Sequence, residues 1–302
     1  MNLTLYKYSF GCMGCPCALS LYSSTPQIAE KVVTAARYEL DRLDQYYTDY
    51  ADTSFTAEIN RSAGRKEGIV VDDETAILLD YADECYRISD GLFDITAGVL
   101  KDVWNFKIKN PKLPEESRIN DLLKRTGWDK VIWKKPRLTL PIKGMKLDFG
   151  GVVKEYAADF IANICRSHGI YYGLVDLGGD LGVIGPHPDG RPWGIGVQHP
   201  RKPGEEIAII QLEGGGLASS GDYERCLEIE GTRYSHILNP KTGWPMEGLS
   251  AVSVVADLCI IAGSASTIAM LKGKEEGIQW LESTGLRYFC ADLDGQPLSK
   301  LQ

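Results

Sequence analysis

Histidine is scarce in this chain of 302 residues: only His168, His187, His199 and His236 occur. None stands at metal-ligand spacing from another or from a cysteine pair, which removes the usual zinc patterns. Long apolar runs are also missing, and nothing approaches the ~20 residues of a membrane span. Positive charge is not in excess. Lys and Arg number 33 against 41 Asp and Glu, for a formal net charge of −8. That argues against a broad nucleic-acid surface or attraction to anionic membranes. An anionic ligand would need a local cluster of donors. There is no GKS or GKT phosphate loop and no GxGxxG, so neither a P-loop nor a Rossmann site is expected. The N-terminal MNLTLYKYSFGCMGCPC has no basic region leading into an apolar core, and no hydrophobic segment precedes Cys12. A cytoplasmic location is therefore expected, or a periplasmic one if a leader has been removed.

Cysteine is present but sparsely grouped. Of eight, only Cys12, Cys15 and Cys17 cluster. They read either as a redox or metal group or as a turn between two strands. The other five lie in apolar contexts and read as buried thiols.

The bulk composition, 44% hydrophobic and 25% charged, is that of a soluble globular chain. Residues 3–9 and 15–22 read as a strand pair. Thr25 and Pro26 supply a helix cap and first position. Ile28, Val32, Val33, Ala36, Leu40 and Leu43 follow at helical spacing. A second helix is expected over 73–89, with Ile77, Leu78, Tyr81, Ala82 and Cys85 on one side and Gly91 past its end. The polar stretch 107–118, KIKNPKLPEESR, is the candidate subdomain boundary. A helix should run from Val152 to Ser167, and strands dominate 171–256. Helices near 259–271 and 274–284 and a strand near 286–291 close the chain. Runs of strands with irregularly placed helices give an α+β class, with mixed or antiparallel sheets.

Three segments carry the chemistry: LDFGGVVKEYAAD (147–159), LVDLGGDLGVIG (174–185) and SHILNPKTGWP (235–245). The first ends a strand at Asp148, turns through Gly150-Gly151 and enters a helix carrying Lys154. Helix N-termini favour anions, so it reads as a phosphate site or as a plain turn with a solvated lysine. The second reads as a hairpin turn, or as carboxylates that hold ribityl or ribose hydroxyls. In the third, His236 sits at a strand end beside a turn, where a histidine can move a proton while held by backbone. It reads as such a base or as a structural histidine. Ser219, Ser220 and Asp222 are near in pattern, but no GxSxG elbow supports a hydrolase triad. Leu92, Phe93 and Asp94 could clasp a ring system, or simply follow a helix cap.

Taken in order over about residues 10–290, these motifs resemble the FAD:protein FMN transferase family, also called ApbE. Met13-Gly14 is similar to its N-terminal turn, and Tyr50 through Asn60 to its Tyr-x-x-x-Ser-x-x-x-x-x-Asn stretch. Leu92-Phe93-Asp94, Asp148-Phe149-Gly150-Gly151 with Lys154, LVDLGGD, SSGDY, SHILNPKTGWP and Ser266-Thr267 follow. The resemblance implies one domain over 1–302, with FAD in a cleft between subdomains. Met13, Tyr50, Leu92, Phe93, Asp94, Asp148, Lys154, Ile237 and Ser266 would contact FAD. His236 would assist attack by a Thr or Ser hydroxyl of an acceptor flavoprotein on the FMN phosphorus, with AMP leaving. Mg²⁺ would be held by the Gly151 carbonyl and Thr267. The chain departs from the family at the metal site, where Gly263 stands in place of the metal-binding aspartate of the C-terminal helix, and in showing no signal peptide, since many relatives work outside the cytoplasm. Asp257 is the next carboxylate upstream. Two readings follow, an active FMN transferase or an FAD-binding relative with weakened metal-dependent catalysis.

Overall fold

In a computed structural model, which describes residues 2–298, the chain opens as a hairpin. Strand β1 (Thr4–Cys12) pairs antiparallel with β2 (Cys15–Ser23), and Cys12 faces Cys15. Only Met13 and Gly14 remain to turn the chain, both with positive φ, 52° and 70°. Two-residue turns of this hand match the twist of the strands they join. Met13 adopts an unusual conformation for a residue with a side chain, and its N–H is tied to Asp44 Oδ2 at 3.0 Å. The cysteine cluster therefore belongs to a β-turn.

Helix α1 (Pro26–Tyr47) is capped by Thr25, whose hydroxyl accepts from the Ile28 N–H. Its buried stripe runs through Ala29, Val32, Val33, Ala36, Leu40 and Leu43. Ile28 falls off the edge of that stripe and is 42% exposed. A short helix not foreseen from the sequence, α2 (Phe55–Arg61), follows a Ser54 cap. It is too brief to show a helical period. Its Asn60 clasps the Leu147 backbone through two hydrogen bonds, 2.7 and 3.1 Å.

Next come β3 (Ile69–Val70) and α3 (Asp73–Ile88). In α3, Ala76, Leu78, Leu79, Ala82 and Cys85 face inward, whereas Ile77 is exposed. A 3-10 helix, Ile95–Asp102, leads to the exposed polar segment 107–118 and to α4 (Glu116–Leu123). Strands β4 (Ile132–Lys134) and β5 (Arg137–Thr139) join β3 in a small antiparallel sheet.

The remaining elements build the main sheet and its covers. They are α5 (Val153–Ser167), β6 (Gly173–Leu177), β7 (Asp180–Gly185), β8 (Trp193–Gln198), β9 (Glu206–Leu212) and β10 (Gly216–Gly221). Then follow β11 (Cys226–Ile229), β12 (Thr232–Ser235), β13 (Ala251–Ala256), α6 (Cys259–Lys272), α7 (Lys274–Thr284) and β14 (Arg287–Ala291). The seven-stranded sheet has the order β1-β2-β6-β7-β10-β13-β14, antiparallel throughout. Helices α1, α5 and α6 lie side by side on it, over β1–β2, β6–β7 and β10–β13. The β8–β9 hairpin covers the other side of the central strands, where Trp193 and Ile210 pack with Leu181, Val183 and Leu217. Both faces of β7 and β13 are thus buried, so these strands read as apolar runs rather than alternations. The architecture is α+β, as expected from the sequence. Among the described residues no helix is long and apolar enough to cross a membrane.

Candidate active site

His236 follows directly on β12. Its backbone N–H donates to the Arg225 carbonyl at 3.0 Å, and its Nδ1 lies 3.2 Å from the same oxygen. A carbonyl only accepts, so Nδ1 carries the proton and Nε2 keeps its lone pair. Burial and the Arg225 charge, against the carbonyl bond, push the imidazole pKa down to about 4, and Lys154 and Lys101 add to the depression. At neutral pH His236 is an uncharged base with a fixed tautomer. The loop behind it is braced in turn. Met246 N–H donates to Ile237 O, and Asn239 N–H to Trp244 O. Trp104 Nε1–H donates to Gly243 O at 2.7 Å from a buried aromatic cluster. Phe106 meets the His236 ring edge-on at 6.4 Å.

Asp148 N–H donates to Ile95 O, and its Oδ1 accepts from Gly150 N–H at 2.9 Å. Its Oδ2 pairs with Lys101 Nζ at 2.6 Å, and Lys101 also reaches Asp49. Burial would lower Lys101, but Asp148 and Asp49 outweigh it and hold the ammonium above its ordinary value. Tyr50 is 66% exposed beside this group. Lys107 Nζ sits 4.0 Å from its ring centre and Lys101 Nζ 5.7 Å. Two lysines and an open aromatic face thus share one edge of the site.

Lys154, in the first turn of α5, pairs with Asp180 at 2.6 Å. Asp180 begins β7 directly after the Gly178-Gly179 turn, opposite Leu177, so this segment is a hairpin that delivers a carboxylate. Burial raises the Asp180 pKa despite Lys154. The pairing takes Lys154 off a solvated face and ties it to a buried carboxylate. Glu155 and Glu224 also act on Lys154, which places three carboxylates around one ammonium.

On α6, Thr267 Oγ1 lies 3.0 Å and Ser266 Oγ 2.8 Å from Ser220 Oγ of β10. Ser266 is fully buried and also donates to Gly263 O. Asp222 is taken by Arg201 in a two-pronged pair, and Ser219 bonds Ser253. No triad forms with His236. Phe93 is buried, with its ring 3.6 Å from where a Cβ on Gly151 would stand. Leu92 beside it keeps partial exposure. Asp94 caps the 3-10 helix: it accepts from Thr96 N–H and Oγ1–H and from Trp128 N–H. Its carboxylate is therefore occupied by protein groups. Ile237 is 8% exposed and Met13 is half-buried at its hairpin turn.

Several participants were not named from sequence: Lys101, Asp49, Lys107, Arg225 and Glu155. Lone charged residues outside glycine turns carry no local signal. Glu155 is the notable one. It is 8% exposed, its Oε2 is buried without a hydrogen-bond partner, and burial raises its pKa. A Cβ at Gly263 would stand 2.5 Å from Glu155 Cγ. Asp257, by contrast, is exposed ahead of α6. Among the described residues no three His, Cys, Asp or Glu side chains converge as a metal cage.

Comparison with known proteins identifies the family. The family model described as the ApbE family matches residues 13–290. The FAD:protein FMN transferase of Chlamydia pneumoniae is 32% identical, over 83% of this chain and 80% of that one. The enzyme of the same name from Escherichia coli K12 is 28% identical, over 89% and 78%. Among solved structures, the ApbE protein of Thermotoga maritima aligns with a TM-score of 0.89 at 29% identity, covering 97% of this chain and 96% of that one. The apo flavinyl transferase ApbE of Pseudomonas stutzeri aligns with a TM-score of 0.86 at 28% identity, covering 98% and 94%. With a family match across nearly its whole length and the same fold as solved ApbE structures, this chain is a member of the ApbE family.

Proposed function

We infer that this protein transfers FMN from FAD to a serine or threonine hydroxyl of an acceptor flavoprotein, with release of AMP. The observation that carries this is His236: neutral, tautomerically fixed and close enough to Lys154 and Lys101 to feel both charges. A base flanked by two cations suits the removal of a hydroxyl proton beside a pyrophosphate. The relatives named as transferases favour transfer over mere retention of FAD.

In this reading FAD lies in a cleft bounded by Met13, Tyr50, Leu92, Asp148 and Lys154, each with exposed surface. Phe93, Ile237 and Ser266 are buried and back that surface, and Asp94 holds Phe93's loop in place. Lys154 and Lys101 face the pyrophosphate, which the net charge of −8 would otherwise repel. His236 Nε2 takes the proton of the acceptor hydroxyl. The hydroxyl oxygen bonds to the FMN phosphorus, the bond to the bridging oxygen breaks, and AMP departs with that oxygen.

A divalent ion fits the donor set. The Gly151 carbonyl, the Thr267 hydroxyl and the unpartnered oxygen of Glu155 are hard oxygen donors of the kind Mg²⁺ takes, together with ligand phosphates. Bound there, Mg²⁺ would neutralise charge growing on the leaving phosphate.

The test is to incubate the protein with FAD and candidate acceptors, with Mg²⁺ or EDTA, and measure AMP and acceptor-bound flavin. His236-dependent AMP release matched by acceptor flavin is the expected result. Failure to bind FAD would remove the reading.

A further inference from the structure

We propose that Glu155 supplies, from α5, the metal-binding carboxylate that α6 lacks at Gly263. The inference rests on the transferase reading for the presence of a divalent ion, but its argument is local.

Two independent observations carry it. First, the space a side chain at 263 would enter is already filled. A Cβ there would lie 2.5 Å from Glu155 Cγ and 2.9 Å from both Cδ and Oε1. An aspartate at 263 and a glutamate at 155 cannot coexist without one moving. The carboxylate has been exchanged between neighbouring helices, and the absence of a side chain at 263 is what makes room for it. Second, Glu155 is 8% exposed and its Oε2 has no hydrogen-bond partner. A buried carboxylate oxygen without a partner is costly and rare. Lys154, the nearest cation in sequence, is already paired with Asp180. A cation on Oε2 removes the discrepancy.

The surroundings agree. Gly151 precedes Glu155 by one helical turn's length of chain, and Thr267 follows Gly263 by four residues on α6, which packs against α5. One carboxylate, one hydroxyl and one carbonyl leave coordination positions for phosphate oxygens. Mg²⁺ sites are commonly built this way, without an all-protein cage.

The test measures Mn²⁺ binding to the full chain by loss of the free aqua-ion EPR signal, with saturating FAD and with Mg²⁺ as competitor. FAD binding is followed separately by flavin fluorescence. Wild type, Glu155→Gln and the exchanged pair Glu155→Gly/Gly263→Asp are compared. The expected result is that wild type binds Mn²⁺, Glu155→Gln binds it roughly tenfold or more weakly, and the exchanged pair recovers most of the loss. Glu155→Gln is nearly isosteric, and thermal denaturation without metal checks that it folds. Unchanged Mn²⁺ affinity in Glu155→Gln overturns the proposal. So does absence of Mn²⁺ binding by wild type, or a loss in Glu155→Gln that the exchanged pair does not recover. If FAD itself fails to bind, the transferase reading falls, and the same three proteins compared without FAD still decide the role of Glu155.

Discussion

Replacing Lys154 by methionine separates its two jobs. Its ammonium holds Asp180 at 2.6 Å, with side-chain exposures of 27% and 4%. Removing one member of a buried pair costs about 3–5 kcal/mol, because the other charge is left unpaired. Lys154 is a quarter exposed, so solvent screens part of the loss and about 3 kcal/mol is expected. At about 2.1 cal/mol/K per residue, a chain of this length unfolds with an entropy near 0.6 kcal/mol/K, so Tm should fall by about 5 °C. FAD affinity should fall by roughly 10- to 150-fold, the equivalent of one charge-assisted hydrogen bond of about 1.5–3 kcal/mol. The double variant Lys154→Met/Asp180→Asn removes the stranded charge. It should regain most of the Tm and none of the FAD affinity. Thermal denaturation and a flavin fluorescence titration on the three proteins give both numbers. The sign of the pH dependence is also set. Asp180 is raised by burial and rises further without Lys154, so it binds protons more readily folded than unfolded. The Tm deficit of Lys154→Met should therefore widen as pH rises above the ordinary carboxylate range. Recovery of FAD affinity in the double variant would refute the assignment of Lys154 to the ligand.

Three further substitutions have expected outcomes. His236→Gln should bind FAD normally but transfer FMN about 10²- to 10⁴-fold more slowly, as measured by AMP release. Because the folded imidazole titrates near 4 and the unfolded one near 6.5, the unfolded chain binds more protons in that window. Wild-type Tm should therefore drop more steeply than that of His236→Gln between pH 6.5 and 4. Phe149→Ala empties a fully buried site packed on Tyr47. It should cost about 3–5 kcal/mol, or about 5–8 °C in Tm. Trp104→Phe leaves Gly243 O without its donor and loosens the His236 loop. A loss of about 1 kcal/mol and a lower transfer rate at unchanged FAD affinity are expected.

Much of this was readable locally. Thr25-Pro26 starts α1, Gly150-Gly151 leads into α5, and Gly178-Gly179 closes β6 on β7, because caps and two-residue turns are decided by neighbours in sequence. Helix faces were read less well. Ile28 and Ile77 fit the apolar period yet are exposed, since periodicity defines a stripe but not its edges. The seven residues of α2 carry no period at all.

By itself, then, the sequence determined the α+β class, the element order, the ordered motifs of an ApbE-family protein, and the two open questions about Lys154 and Gly263. Only the tertiary structure supplied the neighbours that bear on them. Lys154 meets Asp180 across 26 positions of chain, and Glu155 fills the space at Gly263 from 108 positions away. The reason is physical. Hydrogen bonding and steric preference act over a few residues and leave a local imprint. Charge pairing and the sharing of space act over ångströms, between residues that only packing brings together.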